Sequence, residues 1–163
     1  MIQRVQTLFL LGIVICMGLF LTFPLWEKVS QDGQLKLLMN AYYLRSFQFL
    51  PATGEWTEIV AKNVMYVGGC AAVSGLLALI SIFQFKKRLL QIKIGVLIAL
   101  FTMGCVASMA YIIYENTPQF DPGNRGTFFV YLFLPALALI LNSLANRFIK
   151  KDEDLVKSVD RFR

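Results

Sequence analysis

Glu55 and Glu58 stand three apart in GEWTEIV, Glu115 and Asp121 bracket the turn-rich stretch ENTPQFD, and Cys16, Cys70 and Cys105 supply the thiols. These are the side chains with which the chain could do chemistry. Neighbouring carboxylates can serve as general acid and base, and three thiols can hold a soft metal or a redox centre. The 163 residues contain no histidine, which removes the commonest metal ligand and proton shuttle. No cysteine has a C-x-x-C partner or an adjacent charge that would favour its thiolate. Each therefore reads as a small apolar residue, and the carboxylates read as solvated loop residues. P-loop, G-x-G-x-x-G and G-x-S-x-G patterns are missing from the sequence. The expectation is a protein that is not an enzyme and holds no cofactor or metal. A membrane enzyme using Glu55, Glu58 or Asp121 is the outlying alternative.

The elements that must position these groups are set by hydropathy. The composition is 57% apolar and the mean hydropathy is +0.62, against an apolar share of about 45–50% in soluble domains. The apolar residues form four blocks, 7–26, 61–85, 91–114 and 128–146, near the roughly 20 residues a helix needs to cross a bilayer. Asp, Glu and Arg are missing from their interiors, and Lys62 and Lys93 sit at block ends. The fold class expected is all-α integral membrane: a four-helix transmembrane bundle over 1–147, with outer loops 27–60 and 115–127 and a tail, 148–163. The first block follows the basic start MIQR but is too long for a signal-peptide core and lacks an A-x-A-like cleavage site. It reads as a retained helix. Each cysteine lies nine or ten residues from the outer helix ends, about 15 Å deep.

Charge sets the orientation. Of the 16 cations, eleven (Arg4, Lys86, Lys87, Arg88, Lys93, Arg147, Lys150, Lys151, Lys157, Arg161 and Arg163) fall on the side of the termini and the loop FKKRLLQIK. Five fall on the other side: Lys28, Lys36, Arg45, Lys62 and Arg125. The positive-inside rule then places both termini in the cytoplasm. Trp26, Trp56, Tyr66, Tyr111, Tyr114 and Tyr131 fall near the opposite interface, where amphipathic rings are at home. Topology accounts for the net charge of +6, so no nucleic-acid partner is required.

Within 27–60, Asp32-Gly33 is a hairpin signal. The following QLKLL and YYLRSFQFL alternate in part, so the outer loop reads as a small antiparallel sheet resting on the helix ends. A helix over 34–47 is the competing reading. Small residues spaced four apart, Gly68 with Ala72, Ala71 with Gly75, and Gly104 with Ser108, mark helix-packing faces, because close approach holds helices together in lipid. Gly12 and Gly18 are weaker markers. Pro135 removes a backbone donor and should kink or break the fourth helix. Asn142 and Ser143 are placed to bond across helices. In the tail, Phe148, Leu155, Val159 and Phe162 recur at spacings of 7, 4 and 3, one face of an amphipathic helix. Lys86, Lys87, Arg88, Arg147, Lys150 and Lys151 would meet anionic headgroups of the lipid bilayer or, with that apolar stripe, a partner.

The start MIQRVQTLFLL with FPLW after it, the central FKKRLLQIKI and the ending LANRFIKKDEDLVKSVDRFR together resemble the domain of unknown function 4293 family, small membrane proteins of Bacteroidota. The resemblance runs nearly the length of the chain. The departures are Lys87, where the family often has asparagine, and Phe162, where it often has leucine. It implies a four-helix inner-membrane protein of a two-membrane bacterium and brings no activity with it. Two functions are expected from these features. The first is a non-catalytic subunit or adaptor of a larger membrane assembly. The alternative is a small carrier, or a lipid- or apolar-ligand-binding bundle, acting singly or as a homo-oligomer.

Overall fold

The computed structural model describes residues 3–51, 54–85, 87–120 and 126–161, with side chains over 5–51, 54–85, 87–116 and 126–155. Four helices follow the hydropathy: α1 (Gln3–Thr22), α2 (Met65–Phe83), α3 (Arg88–Phe120) and α4 (Leu134–Arg161). All four are long and apolar enough to cross a membrane, and the chain is accordingly a membrane protein. Each helix packs against its neighbours in sequence, and α4 closes on α1. The ring alternates in direction. The interior between the helices is filled by Ile13, Met17, Phe20, Val67, Ala71, Ile98, Cys105 and Ile112.

The all-α expectation is wrong. A five-stranded antiparallel sheet covers the end of the bundle where α1 stops and α2 begins, in the order β4-β3-β2-β1-β5. Its strands are β1 (Trp26–Val29), β2 (Leu35–Met39), β3 (Tyr43–Leu50), β4 (Glu55–Asn63) and β5 (Thr127–Phe128). The physical reason is period. Hydropathy averaging merges Ala61 and Val64 with the apolar run that follows, although the preceding EWTEIV is rich in β-branched and aromatic residues that favour strands.

Helix ends shift for the same kind of reason. Pro24 cannot extend a helix, so α1 stops at Thr22 rather than near 26 and Trp26 opens β1. Pro135 lies in the first turn of α4, where its missing N–H costs no intrahelical bond. The short 3-10 turn Val130–Phe133 precedes it, so there is a start rather than a kink. The β1–β2 turn closes with Gly33 N–H donating to the Ser30 carbonyl at 2.9 Å. There Gly33 takes a φ of 64°, a region glycine enters without a Cβ clash. The β2–β3 turn is held by Asn40, whose Oδ1 accepts from the N–H groups of Tyr42 (3.0 Å) and Tyr43 (2.7 Å). Toward the bundle the sheet presents Trp26, Lys28, Leu37, Met39 and Leu44, all buried.

Two helices outrun a bilayer core of about 30 Å. α3 has 33 residues, about 50 Å at 1.5 Å per residue. Its first residue, Arg88, is at the end away from the sheet, so the excess rises beside the strands. α4 has 28 residues, about 42 Å, and continues without a break past 148 into the segment expected to form the amphipathic tail.

Candidate functional site

Small and polar residues in the helices do several different jobs. Gly68 packs on the sheet, not on a helix. Its N–H donates to the Ala41 carbonyl at 2.9 Å, and a Cβ there would meet that oxygen at 2.8 Å and the Tyr42 ring at 3.1 Å. Val64 N–H donates to the Tyr42 carbonyl at 2.8 Å, so two backbone donors at the start of α2 seat the β2–β3 turn, while Met65 N–H is satisfied locally by Asn63 Oδ1 at 2.8 Å. Gly75 faces Met17 of α1, and Gly104 faces Cys70 of α2. Ala71 is fully buried and Ala72 partly so. Ser108 donates to the Gly104 carbonyl of its own helix at 2.7 Å, so it bridges nothing.

The interhelical bonds come from residues whose partners sequence spacing cannot supply. Ser74 and Thr102 lie 2.7 Å apart between α2 and α3. Thr102 donates to the Ile98 carbonyl, which leaves Ser74 as the donor of the pair. Gln91 Nε2 donates to the Ser81 carbonyl at 2.8 Å. Asn142 Nδ2 donates to the Gly95 carbonyl at 2.8 Å, a bond across helices of the kind expected for a polar residue toward the end of the apolar block 128–146. Gly12, against Leu141, and Gly95, against Asn146, are further close approaches. Gly12 and Asn142 stand out in the sequence, but their partners are found only by knowing which helices are neighbours.

The chemical candidates do not converge. Glu58 lies 3.9 Å from Arg45 and Glu115 lies 3.5 Å from Lys62. Asp121 and Arg125 are outside the described residues. The three cysteines are free thiols, and no group of three metal-ligating side chains occurs among the described residues.

What remains is two surfaces. The first is the β3–β4 hairpin, which leaves the bundle. All nine residues of β4 are exposed, including Trp56 at 41%, Ile59 at 52% and Val60 at 57%. β4 is the outermost strand, bonded only to β3, and a bulge at Ser46/Phe47 twists the pair. Its base is tied to the rising part of α3 by Lys62–Glu115. Trp56 meets Phe49 across the strands at 5.5 Å between ring centroids. Of the other expected interface aromatics, Tyr66, Tyr111 and Tyr114 are exposed, Tyr131 stacks on Phe23, and Trp26 is buried under the sheet.

The second surface is the opposite, basic end. Arg88 is not a free headgroup contact. It pairs with Asp152 at 3.1 Å and also donates to the Asp152 carbonyl, clamping the start of α3 to the extension of α4. Phe148, expected on the tail's outer stripe, stacks on Phe9 of α1 at 5.6 Å, and Ile149 beside it is buried. Lys87, Arg147, Lys150 and Lys151 are exposed, as is Leu155. Val159 lies in α4 beyond the described side chains, and Lys86 and Phe162 lie outside the described residues. Arg147 and Lys150 also stand at the mouth of a groove of about 440 Å³ between α3 and α4.

A family model described as "Domain of unknown function (DUF4293)" matches residues 2–162. No curated protein matches the chain.

Proposed function

We propose that this chain, which belongs to the family of domain of unknown function DUF4293, is a non-catalytic subunit or adaptor of a larger assembly in a bacterial inner membrane. Its termini and the α2–α3 turn face the cytoplasm, and the sheet stands on the outer side. The observation that carries the adaptor reading is β4. It is a nine-residue edge strand exposed along its length, with Trp56, Ile59 and Val60 unburied.

Long open edges present unpaired backbone donors and acceptors, and natural sheets usually blunt them with charge, bulges or a cover. Here Glu55, Glu58, Lys62 and the bulge limit promiscuous pairing, while the apolar side chains between them remain available. An extended segment of a partner can add to such an edge, with backbone bonds giving affinity and side-chain pockets giving selectivity. Among the small helix residues, Gly12, Gly68 and Gly75 are matched by Leu141, the Ala41–Tyr42 turn and Met17 within the chain, while Gly18 faces open space, so the edge strand and not these faces carries the partner argument.

Orientation rests on the cation imbalance of the sequence, eleven of 16 on the side of the termini and the FKKRLLQIK loop, and on alternating helix directions that bring the start of α1, the end of α2, the start of α3 and the end of α4 to one end. The ion pairs of Glu58 and Glu115 favour a structural use of these carboxylates. A carrier would need a path between the helices, and the packed interior weighs against one.

The test is isolation from native membranes in mild detergent, followed by mass spectrometry of the intact complex. A second protein at fixed stoichiometry is expected, and it should be lost with Ile59→Lys, which adds a charge to the exposed edge. Recovery of the free chain alone would overturn the reading. Cysteines introduced at Thr57 and Lys151 should label from opposite sides of the membrane. Labelling from one side would overturn the orientation.

A further inference from the structure

We propose a phospholipid site, independent of the adaptor reading, in the groove between α3 and α4 at the basic end. Its ligand is an anionic phospholipid, with the phosphodiester on Arg147 and Lys150 and one acyl chain along the helix surfaces below. The groove holds about 440 Å³, within the range of about 300–1,000 Å³ usual for small-molecule sites.

Its chemistry changes along its length in the order a lipid requires. Arg147 and Lys150 line one end, Asn146 follows, and Val96 and Leu139 line the other. From the start of the 3-10 turn at Val130 to Arg147 is 17 residues. That is about 28 Å at the helical rises, so these cations sit one hydrocarbon thickness from the sheet end, at headgroup depth.

Charge identifies the occupant. No acidic side chain lines the groove, and neither Arg147 nor Lys150 has an ion-pair partner among the described residues, unlike Arg88 with Asp152. Just beyond the groove, Lys151 adds a third cation to the surface it shares with Arg147 and Lys150, with Asp154 as the one acidic residue there. Basic pockets between transmembrane helices are where anionic headgroups dock, and a planar guanidinium matches phosphate with paired donors.

The groove also has a structural origin. Gly95 lets α4 approach so closely that a Cβ would overlap the Asn146 amide. The Asn142–Gly95 bond at 2.8 Å fixes the two helices there, so the walls are preformed. An apolar floor beneath two cations suits a charged head attached to a chain and does not suit a free phosphate ion.

The test uses the full-length chain in detergent micelles doped with phosphatidylglycerol or phosphatidylcholine and measures retained lipid by native mass spectrometry. One phosphatidylglycerol per chain should be retained, with phosphatidylcholine held at least about tenfold more weakly, since each of the two basic contacts near an anionic surface is worth about fivefold. Arg147→Gln with Lys150→Gln should abolish the preference. Lys87→Gln with Lys93→Gln, which removes the same charge elsewhere at that end, should leave it intact. Val96→Trp, which fills the groove without altering charge, should also release the lipid. Equal loss in both charge variants, or displacement of the lipid by millimolar glycerol phosphate, would overturn the proposal. Retention in the Val96→Trp variant would do the same.

Discussion

The β1–β2 hairpin and the β3–β4 hairpin belong to one sheet and differ in almost everything else. The first lies on the bundle, with Trp26, Lys28, Leu37 and Met39 buried, while the second runs off it and leaves every residue of β4 exposed. Both mix apolar with charged residues, Trp, Val, Leu and Met among the apolar ones of the first and Tyr, Phe, Leu, Trp, Ile and Val among those of the second. Composition therefore does not decide which hairpin is packed. Position relative to the helix ends decides it, and the exposed half is the half with capacity to spare for something outside the chain.

Substitution can break that comparison. The largest effect is expected at Trp26→Ala, which empties a fully buried aromatic site and should cost about 3–5 kcal/mol, read as a lowered denaturation midpoint in detergent. If Trp26→Ala were neutral, the β1–β2 half would be no more structural than the other. Gly68→Val is next, at about 1–3 kcal/mol from forced overpacking, because the β2–β3 turn has nowhere to retreat. Hydrogen exchange should show the loss concentrated in β2 and β3, and loss confined to α2 would mean the sheet is held elsewhere. Ser74→Ala removes a bond between helices and should cost about 0.6 kcal/mol, a typical value within membranes. The smallest effect is Trp56→Ala, expected within about 0.5 kcal/mol while lowering recovery of the edge-strand partner. A Trp56→Ala effect on stability as large as that of Trp26→Ala would erase the distinction between the hairpins.

The helices were legible in the sequence because crossing a bilayer demands a long uncharged run whatever its neighbours are. The hairpin at Asp32-Gly33 was legible because its turn chemistry is local. β4 was not legible: 55–60 read as outer loop without a strand of its own and 61–63 as the start of the second helix, because Ala61 and Val64 extend the apolar run that follows and hydropathy does not record period. The Pro24 stop was available and outweighed by the apolar Leu25 and Trp26. At the basic end, charge alone located Arg147, Lys150 and Lys151. It could not separate Arg88, whose partner Asp152 lies 64 positions away. The α3–α4 groove was invisible for a related reason. Gly95 and Asn146 acquire meaning only when their helices are adjacent, and nothing in either segment names the other.

β5 is two residues long, yet it pairs Trp26 with Phe128, so β1 completes its ladder with a segment made 102 positions later. At synthesis rates of about 5–20 residues per second, β1 emerges and waits roughly 5–20 s with one flank unpaired while α2 and α3 insert. Closure of the sheet therefore reports that three helices are already in place. A chain that ends or stalls before Thr127 would leave β1 without its pairing to β5.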